Sequence, residues 1–146
     1  MITIPQNKVE YDCMGAFLQA LAYVKRSSDL SMVGWVTEDK LRMVVGLNGF
    51  IGGVCQIHVA MEPGYEFTPK AMLEFVFHKV FVELGVKQLL GTVNSHNRKV
   101  MVYDKHLGFS EIMRLPGMHD DGGDLVLLGM KPEECRYLDM KKEMAA

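Results

Sequence analysis

Two side chains near the middle of the chain can move protons. His58 lies in the run QIHVAM, and Glu62 follows just beyond it. Imidazole titrates near neutral pH, so His58 can act as a base directly. Glu62 can accept a proton through a water molecule. Each has a plainer explanation as well: a hydrogen-bonded histidine on a sheet face, and a solvated loop carboxylate. A second group stands in TVNSHNRKVMVYDKHLGF, residues 92–109. Asn97 can bond a ligand through its amide or cap a helix. Arg98 and Lys99 can meet phosphates or face solvent. Metal chemistry has little support. Cys13, Cys55 and Cys135 are far apart and lack zinc-ligand spacing, and DDGGD at 120–124 lacks the spacing of a calcium loop. That run reads as a tight acidic turn whose carboxylates can also face a cationic substrate.

The framework that must position these groups is short. A chain of 146 residues is expected to form one domain, 1–146, with a real core. A content of 49% hydrophobic and 23% charged residues fits a folded globular protein and argues against disorder. The formal net charge of -2 offers no global attraction to nucleic acid. Three separated cysteines are expected to be reduced thiols, which points to the cytoplasm. No basic segment with a following apolar run suggests a signal peptide, and no apolar stretch is long enough for a membrane helix.

Apolar spacing predicts a first strand in MITIPQ (1–6) and a helix over 11–29 that ends in the basic pair Lys25-Arg26. SMVGWVTED (31–39) reads as a strand turning at Glu38-Asp39. Asn48-Gly49 is expected to form the tight turn between two apolar arms of 41–61, with a bend at Gly52-Gly53. Thr68 is expected to cap a helix that starts at Pro69, carries a Phe67–Met72 staple, is apolar almost all round and ends at Gly85. A strand at 86–93, a helix at 97–107, strands at 109–115 and 124–130 and a final helix at 133–144 complete the order. Strands near 54–60 and 86–93, joined by a helix, form a βαβ unit and are expected to run parallel. The fold class is α/β, with a sheet flanked by helices.

This order, together with Asn97-Arg98-Lys99-Val100-Met101-Val102-Tyr103-Asp104-Lys105-His106-Leu107-Gly108-Phe109 and the strand GDLVLLGM, resembles the GNAT superfamily of N-acetyltransferases. The likeness spans roughly Trp35 to Met130 and looks most like the branch of ribosomal-protein N-terminal acetyltransferases. It implies a mixed central sheet with helices on both faces, acetyl-CoA as cosubstrate and an amine acceptor, small molecule or protein, without metal, membrane or nucleic acid. Backbone N–H groups near His58 at Val59, Ala60 and Met61 would then polarise the thioester carbonyl. Lys70 and Ala71 would lie at the pyrophosphate loop, and Asn97 and Arg98 would meet the pantetheine arm and the phosphates. Tyr103 would be the acid for the departing thiolate, with Glu62 or His58 as the base.

Two departures from the family pattern stand in this chain. Its expected phosphate loop reads Glu66-Phe67-Thr68-Pro69-Lys70-Ala71, where only Ala71 fits, and Pro69 supplies no N–H. Asp104 occupies the usual tyrosine position, one residue and ~100° of helix away from Tyr103. The alternatives are a non-catalytic module on the same fold that retains CoA or a protein partner, and an interaction subunit in which exposed apolar sheet edges make an oligomer; a homodimer is among the partner expectations.

Overall fold

The computed structural model describes residues 1–65 and 68–138. Its contacts divide the chain into two compact units, Met1–Val76 and Phe77–Ala146.

In the first unit, β1 (Ile2–Thr3), β2 (Ser31–Thr37), β3 (Lys40–Ile51) and β4 (Val54–Met61) pair antiparallel in that order. Glu38 and Asp39 turn β2 into β3 with φ angles of 52° and 58°. Positive φ at both central residues is what a type I′ hairpin needs.

The next hairpin corrects the sequence expectation. Asn48-Gly49 is not the turn: β3 runs on to Ile51, and Gly52-Gly53 makes the reversal with φ 57° at Gly52. The register slips between Asn48 and Ile51, so Gly49, at φ 63°, sits in a bulge. Either Gly pair can satisfy a tight turn. The longer paired ladder decides between them.

The first helix is also displaced. α1 covers Lys8–Ala22, opens at Asn7, whose side chain accepts from Glu10 N at 2.9 Å, and closes at Tyr23 in the left-handed region. Lys25-Arg26 therefore lies beyond the helix. Arg26 folds back to pair with Asp12 at 2.6 Å and covers the Tyr11 ring. Met14 and Leu18 of α1 pack with Leu30, Met32, Val44 and Ala60 to form a core cluster. Burial of each such side chain stabilises by about 1.5–3 kcal/mol. Gly46 lets α1 approach: a Cβ there would stand 2.5 Å from Leu18 Cδ2.

α2 spans Lys70–His78 and continues as a π-helical turn over Lys79–Glu83 before Gly85 at φ 64°. The Pro69 carbonyl accepts from Met72 N and Leu73 N at 3.0 and 3.2 Å, so Pro69 heads the helix, as its missing N–H allows. Phe67, the expected staple partner, and Glu66 lie outside the described residues. Met72, Val76, Phe77, Val80 and Phe81 are buried, whereas Val82 and Leu84 are exposed. The helix thus buries one broad stripe rather than its whole circumference.

In the second unit, β5 (Gln88–Asn94), β7 (Leu125–Met130) and β6 (Ser110–Leu115) form an antiparallel sheet in the order β5-β7-β6. α3 spans Arg98–Leu107 and ends at Gly108 with φ 125°. Any Cβ there would meet the carbonyl of Glu134, which explains the glycine. After β7 comes a short 3₁₀ turn at Pro132–Glu134, where a helix over 133–144 was expected. Residues 139–144 of that expected helix lie outside the described residues. The helices and strands follow the order read from the sequence, and the class is α/β.

Candidate active site

β4 carries the central candidates. The residues His58, Val59, Ala60 and Met61 stand opposite Gly46, Val45, Val44 and Met43. One residue further, Glu62 N donates to Arg42 O at 2.8 Å. Hydrogen-bonded and non-bonded pairs alternate along an antiparallel ladder, so the Ala60 and His58 N–H groups also point toward β3. The N–H groups of Val59 and Met61 point away from β3. Of the three expected carbonyl-polarising positions, the N–H groups of Val59 and Met61 therefore lie on the edge of β4 away from β3, whereas that of Ala60 is turned into the β3 ladder. Val59 is exposed and Ala60 is buried.

His58 belongs to a polar relay. Its Nε2 lies 2.7 Å from Asn48 Oδ1. Asn48 Nδ2 donates to Ser27 Oγ at 3.4 Å, Ser27 Oγ donates to Asp29 Oδ1 at 2.7 Å, and Phe50 N donates to Asp29 Oδ2 at 3.0 Å. This direction of donation turns the Asn48 carbonyl toward the imidazole. The proton then resides on Nε2, and Nδ1 keeps its lone pair. Burial lowers the His58 pKa, which keeps the ring neutral at physiological pH. Asp29 is held below its usual range by the Ser27 hydroxyl and then the Phe50 N–H.

Glu62 is engaged differently. One oxygen pairs with Lys40, and the other lies 2.6 Å from Arg42 Nη1. Arg42 also bonds Thr37 Oγ1 at 3.0 Å. Lys40 first, and then Arg42, hold the Glu62 carboxyl below its usual range. A carboxylate paired with two cations is a weak base, so its surroundings favour a structural tie between β3 and the end of β4. Lys70, the first residue of α2, is exposed and lies 3.5 Å from Glu74; Ala71 beside it is exposed as well. Their N–H groups belong to the first helical turn, which has no intrahelical partners to offer them.

The second unit holds the remaining candidates. Asn97 is the N-cap of α3: its Oδ1 accepts from Val100 N at 3.3 Å. Arg98 follows as the first helical residue and is exposed. Two cations, Arg98 and Lys99, at the positive end of a helix oppose its dipole, a local conflict that a bound anion would relieve. The junction before the helix is pinned. His96 Nδ1 lies 3.2 Å from Asp121 Oδ2, and Asp124 N donates to Ser95 Oγ at 2.8 Å. Asp121 accepts from Gly123 N at 2.9 Å and is driven down to about 2, first by that bond and then by Asn94 and His96. Asp124 accepts from Gly117 N and Arg114. The acidic run 120–124 thus closes its own loop through Asp121 and Asp124.

On α3, Tyr103 is 39% exposed and Asp104 is half-buried. Burial pushes the Asp104 carboxyl up to about 6. Asp104 lies one turn from Met101 and from Leu107, whereas Tyr103 stands ~100° round the helix from Asp104 and one turn before Leu107. Among the described residues no three His, Cys, Asp or Glu side chains are grouped to hold a metal ion, and no helix is long and apolar enough to cross a membrane.

Sequence reasoning missed the Asn48–Ser27–Asp29 relay, because Asn48 carried a turn signal that explained it locally. It also missed the cations on Glu62, whose period-two spacing on β3 (Lys40, Arg42) was available as a clue. Trp35 Nε1, buried without a hydrogen-bond partner among the described residues, had no sequence signal.

Comparison with known proteins places the fold. No protein-family model matches the chain, and no curated protein matches it by sequence. Solved structures do match. The ribosomal-protein-S18-alanine N-acetyltransferase from Escherichia coli superposes with a TM-score of 0.71 at 16% identity, covering 90% of this chain and 94% of that one. A spermidine N-acetyltransferase chimera from Vibrio cholerae and hSSAT gives 0.75 at 11% identity, covering 95% and 99%. The ribosomal-protein-alanine N-acetyltransferase from Brucella melitensis gives 0.71 at 12%, covering 90% and 99%. The chain has the fold of GNAT acetyltransferases, as its late helix and strand order implied.

Proposed function

We propose that this chain is an acyl-CoA-dependent N-acetyltransferase, which moves the acetyl group of acetyl-CoA to a primary amine in the cytoplasm. The observation that carries the reading is the fold, shared over 90–95% of the chain with structures named as N-acetyltransferases. In the reaction the amine nitrogen attacks the thioester carbonyl, the C–S bond breaks, the amine loses a proton and the thiolate gains one. The Val59 and Met61 N–H groups are the donors for the carbonyl oxygen as negative charge develops there. His58, neutral and with Nδ1 unprotonated, is the better of the two bases; Glu62 orders the strand end through Lys40 and Arg42. Tyr103 is the proposed acid for the thiolate, and Asp104, on the more buried face, is its competitor. Asn97 Nδ2 is free of the capping role and can bond a pantetheine carbonyl, while Arg98, Lys70 and the Ala71 N–H serve the phosphates.

The acceptor is an amine of a small molecule or a protein. A second reading, a CoA-binding module without catalysis, is favoured by Asp104 at the tyrosine position and by the paired state of Glu62. One assay separates the two. Purified protein with acetyl-CoA and pools of polyamines and peptide amines should release thiol for an enzyme, and should bind CoA without release for a module. His58→Gln should lower kcat more than the affinity for acetyl-CoA. Unchanged turnover in that variant would remove His58 as the base.

A further inference from the structure

We propose that β6 is a self-association surface, at which two copies of this chain pair their β6 strands antiparallel about a twofold axis. β6 is the outer strand of its unit, paired with β7 along one edge, and all six of its residues are exposed. A strand exposed along its full length is an open template for pairing. Three of its apolar side chains are in the open: Ile112 at 48%, Met113 at 53% and Leu115 at 43%.

The register identifies the occupant. The β6–β7 pairing slips between Glu111 and Met113, so Ile112 is an extra, bulged residue. That bulge resets the faces. Glu111 stands opposite Leu128 and Arg114 opposite Val126, which puts these two charges on one face. Their ion pair at 2.7 Å agrees. Ser110, Met113 and Leu115 stand opposite Gly129, Leu127 and Leu125, on the other face.

In a twofold antiparallel pairing, residues that meet across the axis must lie on the same face. A regular strand could not bring Glu111 opposite Arg114 of its copy, because an odd offset changes face. The bulge removes that obstacle. Centred between Ile112 and Met113, the pairing sets Glu111 against Arg114 of the second copy twice by symmetry, and Ser110 against Leu115. Ile112, Met113 and Leu115 of both copies then make one apolar strip, continuous with the half-buried Leu125 and Leu127. The partner that fits this edge is therefore the chain itself.

Sedimentation velocity on the full chain tests the surface. Six residues a side is a small contact, so association should be weak, with a midpoint in the range of about 10–100 μM. Glu111→Arg and Arg114→Glu should each weaken it by about tenfold or more, since each puts like charges opposite. An equimolar mixture of those two variants should recover association, because their charges are complementary across the proposed register. Met113→Glu, at an exposed position that keeps the ion pair, should also abolish it and decides the matter should the charge variants misfold. A chain that stays monomeric to about 1 mM, association that ignores all three substitutions, or a mixture that fails to recover would overturn the proposal.

Discussion

Asp104 offers the sharpest physical test of the second unit. Its carboxyl is raised from 3.8 to about 6 by burial, roughly two pKa units. At about 1.36 kcal/mol per unit, the cost of ionising it in the folded state is at most about 3 kcal/mol. Partial contact with solvent screens that figure, and about 1–2 kcal/mol is the working magnitude. The sign follows from proton counting. Between the unfolded and folded pKa values the native state holds more protons than the unfolded state, so stability falls as pH rises. The penalty is absent below about pH 4, develops through about pH 6 and is then constant. Asp104→Asn removes the ionisation. Urea unfolding of both proteins from about pH 4.5 to about pH 7.5 should show the variant gaining about 1 kcal/mol or more on the parent as pH rises. A difference that stays flat across this range, or that reverses in sign, would refute the assignment of a desolvated carboxyl to this face of α3.

Glu62→Gln should destabilise the first unit at neutral pH. Because the pairing lowers the Glu62 pKa, the loss should fade as pH falls through the acid range, where the parent carboxylate is itself protonated. Equal loss at about pH 3 and pH 7 would contradict the ion pairs as its cause. Asn97→Ser keeps a capping oxygen and deletes the amide, so thermal stability should change by less than about 0.5 kcal/mol while acetyl-CoA affinity drops. Gly108→Ala should cost about 3 kcal/mol or more, because it forces a Cβ against the Glu134 carbonyl at a φ of 125°. A chemical-denaturation midpoint close to that of the parent would contradict the close approach. Trp35→Phe deletes an unpaired buried donor and should change stability by less than about 1 kcal/mol.

The fold was largely legible because its local signals were redundant. Gly108 ends α3 where the apolar spacing also ends, and the sheet strands are bounded by turn residues that do turn. The failures occurred where two local solutions were close in energy. Asn48-Gly49 and Gly52-Gly53 both suit a hairpin, and only the cross-strand pairing of Asn48 with Gln56 selects the second. The basic pair Lys25-Arg26 mimicked a helix end, yet Tyr23 closed the helix earlier and Arg26 served Asp12 instead. The site was less legible than the fold. His58 and Glu62 look alike as proton acceptors in sequence. Their difference comes from Asn48, Ser27 and Asp29 on one side and Lys40 and Arg42 on the other, contacts that arise only once strands and loops are paired. The orientation of the Val59 and Met61 N–H groups is a property of ladder alternation, to which side-chain identity contributes nothing.

Binding of acetyl-CoA is the claim on which the rest depends. Thermal unfolding in the presence of acetyl-CoA and of its non-reactive desulfo analogue measures it directly. A ligand that binds the native state at about a hundred times its Kd stabilises by about 2.7 kcal/mol, a shift of several degrees for a chain of this size. The account predicts a saturable rise in Tm with both ligands, reduced in Asn97→Ser. An unchanged Tm with both ligands at millimolar concentration would contradict it.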